Sequence, residues 1–207
     1  MTEHTPLERR SSQVKALVSA FCQLVEHEYG TDARLQRLKT VSLEGACTQP
    51  ATLSVTQYWS RALEAAQHRP TAALAQSLSS LYPVLQWTQN PGYTIENAGP
   101  HFLANYGYAE IIGKDGMFPS DDLALGILLL GPGTIYAEHC HPASEIYYVV
   151  GGTAIWNVGG GPDIASRPGT LITIASGVIH KMWTTVDPLL AIYVWDGDVS
   201  ARARFVD

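Results

Sequence analysis

The chain has 207 residues, 46% of them hydrophobic, which is enough for a packed core in one domain or in one domain with an appendage. Its net charge of −6 comes from scattered acidic residues, and no Lys/Arg-rich run offers the footprint that a phosphate backbone needs, so nucleic acid is set aside as a partner. Met1 to Arg10 is polar, and runs such as Leu125 to Leu130 are too short to span a bilayer, so the expectation is a cytoplasmic protein with no membrane partner.

In chain order, Val14, Leu17, Val18, Phe21, Leu24 and Val25 recur at helical spacing, with Gly30 as the stop. A second stripe, Val55, Tyr58, Trp59, Ala62, Leu63 and Ala66, ends before Pro70, and Leu74, Leu78, Leu81 and Leu85 make a third. Residues 1–90 are therefore expected to be α-helical. After Asn90 and Pro91 the pattern changes to short apolar runs broken by Gly and Pro: Ile111–Ile112, Leu123–Leu130, Ile146–Val150, Ala154–Val158, Leu171–Ile174 and Leu189–Trp195. Residues 91–207 accordingly predict a β-barrel or sandwich, on which the helices pack as part of one unit.

The segment from Gly133 to Glu145 carries the chemistry. His139 and His141 are two residues apart, hence on one face of a strand, and Glu145 follows across a turn at Pro142. His180 arrives from a different strand. Two imidazoles and a carboxylate suit a divalent first-row metal, and these residue types have no apolar reason to cluster. An isolated His-x-His pair reads more readily as part of a solvated strand; here its surroundings favour a metal site. Cys140 lies between the two histidines, but strand alternation turns it from their shared face. Cys22, Cys47 and Cys140 are too far apart for a disulfide framework, and His4, His27, His68 and His101 read as surface or cap histidines.

Tyr147 continues the odd-numbered face of Glu145, which sets a phenol beside the metal ligands. A free phenol has a pKa of about 10, and a nearby divalent cation favours the phenolate, so Tyr147 is a candidate ligand and base.

The spacing resembles the first motif of the cupin superfamily at every position: Gly133, His139, His141, Glu145 and Gly152. The second motif reads Gly169, Ala175-Ser176-Gly177, His180 and Thr184, with Ala175 where the family has Pro and Thr184 where it has Asn. The resemblance covers the last half of the chain and implies a mainly β protein, a double-stranded β-helix or jelly-roll barrel, with the helical part packed on it.

Within that superfamily the run Tyr136-Ala-Glu-His139-Cys-His141-Pro-Ala-Ser-Glu145-Ile-Tyr147, with His180 and Trp195 downstream, is similar to the small bacterial lyases that cleave dimethylsulfoniopropionate into dimethyl sulfide and acrylate. That resemblance implies one divalent metal ion (zinc, iron or manganese) held by His141, Glu145, His180 and Tyr147. His139 is either a further ligand or a supporting neighbour. It implies Tyr147 as the base with Tyr136 assisting, although alternation from His139 points Tyr136 the other way unless a bulge intervenes.

A zwitterionic sulfonium substrate calls for an aromatic cage, for which Tyr193, Trp195 and Trp183 are candidates, while Trp156 reads as core. The monomer and the homodimer both remain open. The alternatives are another metal-dependent cupin enzyme, a dioxygenase or isomerase acting on a small carboxylate or sugar, and a non-catalytic small-molecule-binding barrel.

Overall fold

The computed structural model describes residues 5–45, 48–66 and 70–206. His4, Cys47 and His68 lie outside the described residues. Among the described residues no helix is long and apolar enough to cross a membrane.

The N-terminal half is built of helices that lie against a sheet. Helix α1 (Pro6–Tyr29) starts at a capping box in which Thr5 and Glu8 satisfy each other's backbone N–H groups, and it closes at Gly30, whose φ of 86° favours glycine. Its stripe Val14, Leu17, Val18, Phe21, Cys22 and Val25 is buried. Helix α2 (Ala33–Thr40) is capped by Asp32, α3 covers Trp59–Ala66 and α4 covers Ala72–Leu81. Leu85, the last residue of the third sequence stripe, is buried just beyond a short 3-10 turn at Tyr82–Val84.

Among the described residues eleven antiparallel strands form two facing sheets. They are β1 (Trp87–Thr88), β2 (Tyr106–Ile112), β3 (Leu123–Leu130), β4 (Ile135–Cys140), β5 (Ser144–Gly152) and β6 (Ala154–Val158). Then follow β7 (Ile164–Ser166), β8 (Leu171–Ile174), β9 (His180–Trp183), β10 (Leu189–Asp196) and β11 (Arg204–Phe205). The six-stranded sheet runs β1-β2-β3-β10-β5-β8 and the five-stranded sheet runs β11-β4-β9-β6-β7. This is the double-stranded β-helix of the cupin type, mainly β with an N-terminal helical part. The helices are not confined to residues 1–90: α5 (Ile95–Asn105), kinked at Gly99-Pro100, sits inside the predicted barrel region, and β1 lies before it.

Strand alternation gives the larger sheet two cores. Leu125, Ile127 and Leu129 of β3, Ile146 and Tyr148 of β5, and Ile192 and Val194 of β10 pack under the helices with Phe21 and Leu17. The intervening residues, among them Leu128, Tyr147, Val149 and Tyr193, face the smaller sheet and enclose the barrel interior. Leu123–Leu130 is buried along its whole length because both of its faces are covered, which is why its sequence shows no alternation. Tyr148 turns away from Tyr147, packs edge-on to Phe21 at 6.0 Å and donates to Glu28 of α1 at 3.1 Å, fastening α1 to the sheet.

Candidate active site

Three strand ends bring four residues together inside the barrel. His139 lies on β4, His141 just past its end, Glu145 at the start of β5 and His180 at the start of β9, and all four are buried. Donor atoms of His141, Glu145 and His180 lie within 4.8 Å of one another. His139 packs edge-on to His180 with ring centroids 4.0 Å apart, but it is not one of that converging trio.

The main chain sets the orientation of each ring. Nδ1 of His139 donates to the Ala137 carbonyl at 2.7 Å, that of His141 to Ala143 at 2.9 Å and that of His180 to Val178 at 2.9 Å. A carbonyl only accepts, so the proton is on Nδ1 in each ring and Nε2 is left to act as a ligand. Burial holds His180 below the usual histidine range, and it holds His139 further below, helped by the neighbouring His180. Nε2 of His180 is buried without a hydrogen-bond partner, 3.6 Å from Oε2 of Glu145. Nε2 of His141 lies 3.0 Å from the same oxygen. The unpartnered Nε2 of His180 and the Nε2 of His141 face one carboxylate oxygen, a donor set that fits a divalent metal.

Glu145 is steered from its other side. Trp195, its neighbour across the sheet, donates Nε1–H to Oε1 at 2.5 Å and stacks on His141 at 4.1 Å, which turns Oε2 toward the histidines. Tyr147 is buried beside Glu145 and hydrogen-bonded to it. Burial first, then the charge and hydrogen bond of Glu145, push this phenol well above 10.

Tyr136 also faces inward. The β4–β9 pairing slips between Tyr136 and His139, so that three residues of β4 span two of β9. This bulge puts Tyr136 and His139 on one side despite their odd spacing, and their rings stack at 3.8 Å. The Tyr136 hydroxyl is buried and lies 2.8 Å from that of Tyr93.

A cavity of about 280 Å³ opens from Glu145, Tyr147 and Tyr136 along Tyr193 and Trp195 to a mouth at Tyr108 and Arg202. Trp183 does not line it: three residues from His180 on β9, it falls on the opposite strand face and is half-exposed. Trp156 is fully buried against Tyr147, in keeping with a core role. Cys140 is buried and unpaired, and it is not part of the donor cluster. His27 and His101 are exposed, His101 against the Gly133 carbonyl.

Sequence reasoning missed Tyr93, Tyr106, Tyr108, Glu110 and Arg202 in or beside this cavity. The signal available was the period-2 run Tyr106, Tyr108, Glu110, whose mixed polarity hides a strand.

The model of the dimethylsulfoniopropionate (DMSP) lyase family matches residues 26–191. The chain belongs to the DMSP lyase family. Among its relatives, the dimethylsulfoniopropionate lyase DddQ of Ruegeria pomeroyi is 31% identical over 128 residues, covering 62% of this chain and 63% of the relative. The putative dimethylsulfoniopropionate lyase DddL of Cereibacter sphaeroides is 29% identical over 150 residues, covering 72% and 61%. The chain thus spans about three fifths of the length of the curated relatives it matches.

In fold, the chain is similar to a solved structure described as DMSP lyases RdDddP and RnDddQII, with a TM-score of 0.78 and 24% identity over 96% of this chain and all of that one. The crystal structure of DddQ from Ruegeria pomeroyi gives a TM-score of 0.70 and 23% identity over 94% and 96%. DMSP lyase family membership and the two-sheet barrel agree.

Proposed function

We propose that this chain is a metal-dependent carbon–sulfur lyase that splits dimethylsulfoniopropionate into dimethyl sulfide and acrylate by base-catalysed β-elimination. One observation carries the reading: Glu145, whose carboxylate groups with the donor atoms of His141 and His180, lines a cavity walled by aromatic rings together with the phenol of Tyr147. Relatives described as dimethylsulfoniopropionate lyases support the substrate.

The carbon next to the substrate carboxylate is a very weak acid while that carboxylate keeps its charge. A zinc, iron or manganese ion held by His141, Glu145 and His180, with Tyr147 and His139 as further candidate ligands, would supply Lewis acidity there and offset the charge of Glu145 beside the phenol. With such a cation favouring its phenolate and its own proton released to solvent, Tyr147 Oη would take the α-proton. The electron pair of the broken C–H bond forms the C=C bond of acrylate, and dimethyl sulfide leaves with the electrons of the broken C–S bond. Tyr136 Oη, braced by Tyr93, assists. Tyr193 and Trp195 offer ring faces to the sulfonium, which has no hydrogen bond to give.

The protein acts in the cytoplasm as a monomer or homodimer. The test mixes purified protein of measured metal content with dimethylsulfoniopropionate under anaerobic conditions and assays the headspace. Dimethyl sulfide and acrylate in equal amounts are expected. A strict need for dioxygen, or no dimethyl sulfide at all, overturns the proposal.

A further inference from the structure

The cavity contains a second carboxylate that the elimination does not use. Glu110 follows Tyr106 and Tyr108 on the inward face of β2 and lines the cavity with Tyr108 and Tyr193. In the sheet register it stands opposite Gly126 of β3, which stands opposite Tyr193 of β10, which in turn stands opposite Tyr147 of β5. One row of the sheet therefore runs from the phenol beside the metal donors to Glu110.

Gly126 makes that row continuous. A Cβ there would come within 2.3 Å of the Tyr193 ring and hydroxyl, so only glycine lets Tyr193 lie across β3 toward Glu110. Tyr108 closes the same corner edge-on to Tyr193 at 6.4 Å.

Glu110 is anchored by the backbone but not ion-paired. Oε1 accepts the Asp115 backbone N–H at 2.8 Å. Of the two cations that line the cavity, Arg202 is committed to Asp115 at 2.6 Å and to the Tyr108 hydroxyl at 3.1 Å, and Lys114 acts on Asp198. Glu110 forms no ion pair among the described residues. Burial first, with the charge of Asp115, holds its carboxyl above the usual range, against the Asp115 backbone bond and the nearby Arg202. A ligand cation seated against it would supply the missing partner.

Resting on the lyase reading above, we infer that Glu110, with the rings of Tyr193 and Tyr108, forms the cation subsite that selects an onium group at the far end of a short carboxylate. Ring faces attract any cation, but they also accept neutral apolar groups, whereas a desolvated carboxylate discriminates by charge. Glu110 is thus a specificity residue and does not touch the atoms that exchange the proton.

The test compares wild type with Glu110→Gln, which keeps the acceptor for Asp115. We expect KM for dimethylsulfoniopropionate to rise about tenfold or more, with kcat changed less than about threefold and metal content unchanged. The neutral thioether 3-(methylthio)propionate, as a competitive inhibitor, should bind both proteins within about twofold, and Glu110→Asp should fall between them. An equal loss for neutral and cationic ligands overturns the charge role, as does an unchanged KM in an otherwise active enzyme.

Calorimetry with 3-(trimethylammonio)propionate separates this inference from the lyase reading. If wild type binds it in a Glu110-dependent way but releases no dimethyl sulfide, the cation subsite stands and the elimination falls. If wild type neither binds it nor turns over the sulfonium, both fall.

Discussion

At the scale of single residues, the proposed elimination would depend on two oxygens of one carboxylate and one phenol. Tyr147→Phe keeps the ring that packs on Trp156 and removes only the hydroxyl. The variant should fold and keep its metal but lose about 10²- to 10⁴-fold in turnover, with loss of substrate-dependent exchange of the α-proton for deuterium. Run beside it, Tyr136→Phe decides which phenol is the base; if both variants stay near wild type, the phenolate mechanism is wrong. Trp195→Phe retains the stack on His141 but frees Oε1 of Glu145. We expect metal affinity to fall about 10- to 100-fold, measured by competition with a chelator, while unfolding temperature without metal changes little. The clustering of His141, Glu145 and His180 was legible in the sequence because glycine-punctuated spacing and strand parity act over a few residues. Tyr147 followed by the same parity. Trp183 was misplaced by ignoring it, since three steps from His180 on a regular strand must change face. Glu110 and Arg202 were out of reach: they meet the site through pairing of β2 with β3 and through contacts of Arg202 with Tyr108 and Asp115, which span 94 and 87 residues.

At the scale of elements, the β4 bulge and the α1–sheet contact matter most. The bulge was foreseen only as the condition for an inward Tyr136; no sequence pattern marks where a ladder slips, because the extra residue is defined by the partner strand. Helix α5 was hidden by Gly99 and Pro100, which break its period, and β2 by the tyrosines and glycine that dilute an apolar run. Helix α1 was plain because its buried stripe is long and capped at both ends. Phe21 anchors it to Tyr148 and is itself fully buried. Phe21→Ala should cost about 3–5 kcal/mol, read as a drop of roughly 10 °C or more in Tm. Below that temperature kcat should stay near wild type, because Phe21 touches the helix-facing core and not the cavity. A large fall in kcat in a variant that remains folded would show that the two cores are coupled.

At the scale of the whole molecule, a buried donor cluster ties metal binding to folding. An ion that binds only the folded chain stabilises it by mass action, about 2.7 kcal/mol at a free concentration one hundred times Kd. Scanning calorimetry of chelator-treated protein should therefore show a lower Tm that zinc, iron(II) or manganese(II) restores, and the ion giving the largest rise marks the tightest fit. A Tm indifferent to all three, in wild type and in His180→Ala alike, would contradict a metal site. The shared sheet has a further consequence for anyone altering this protein. On β3 the odd-numbered leucines and Ile127 belong to the helix side and the even-numbered positions to the reaction side, while on β5 and β10 the parity is reversed. Thermal robustness and substrate range can therefore be tuned as separate variables by choosing residues of one parity. A one-residue insertion in any of these strands would exchange the two sets at a stroke, so length changes in them should be far less tolerated than multiple substitutions.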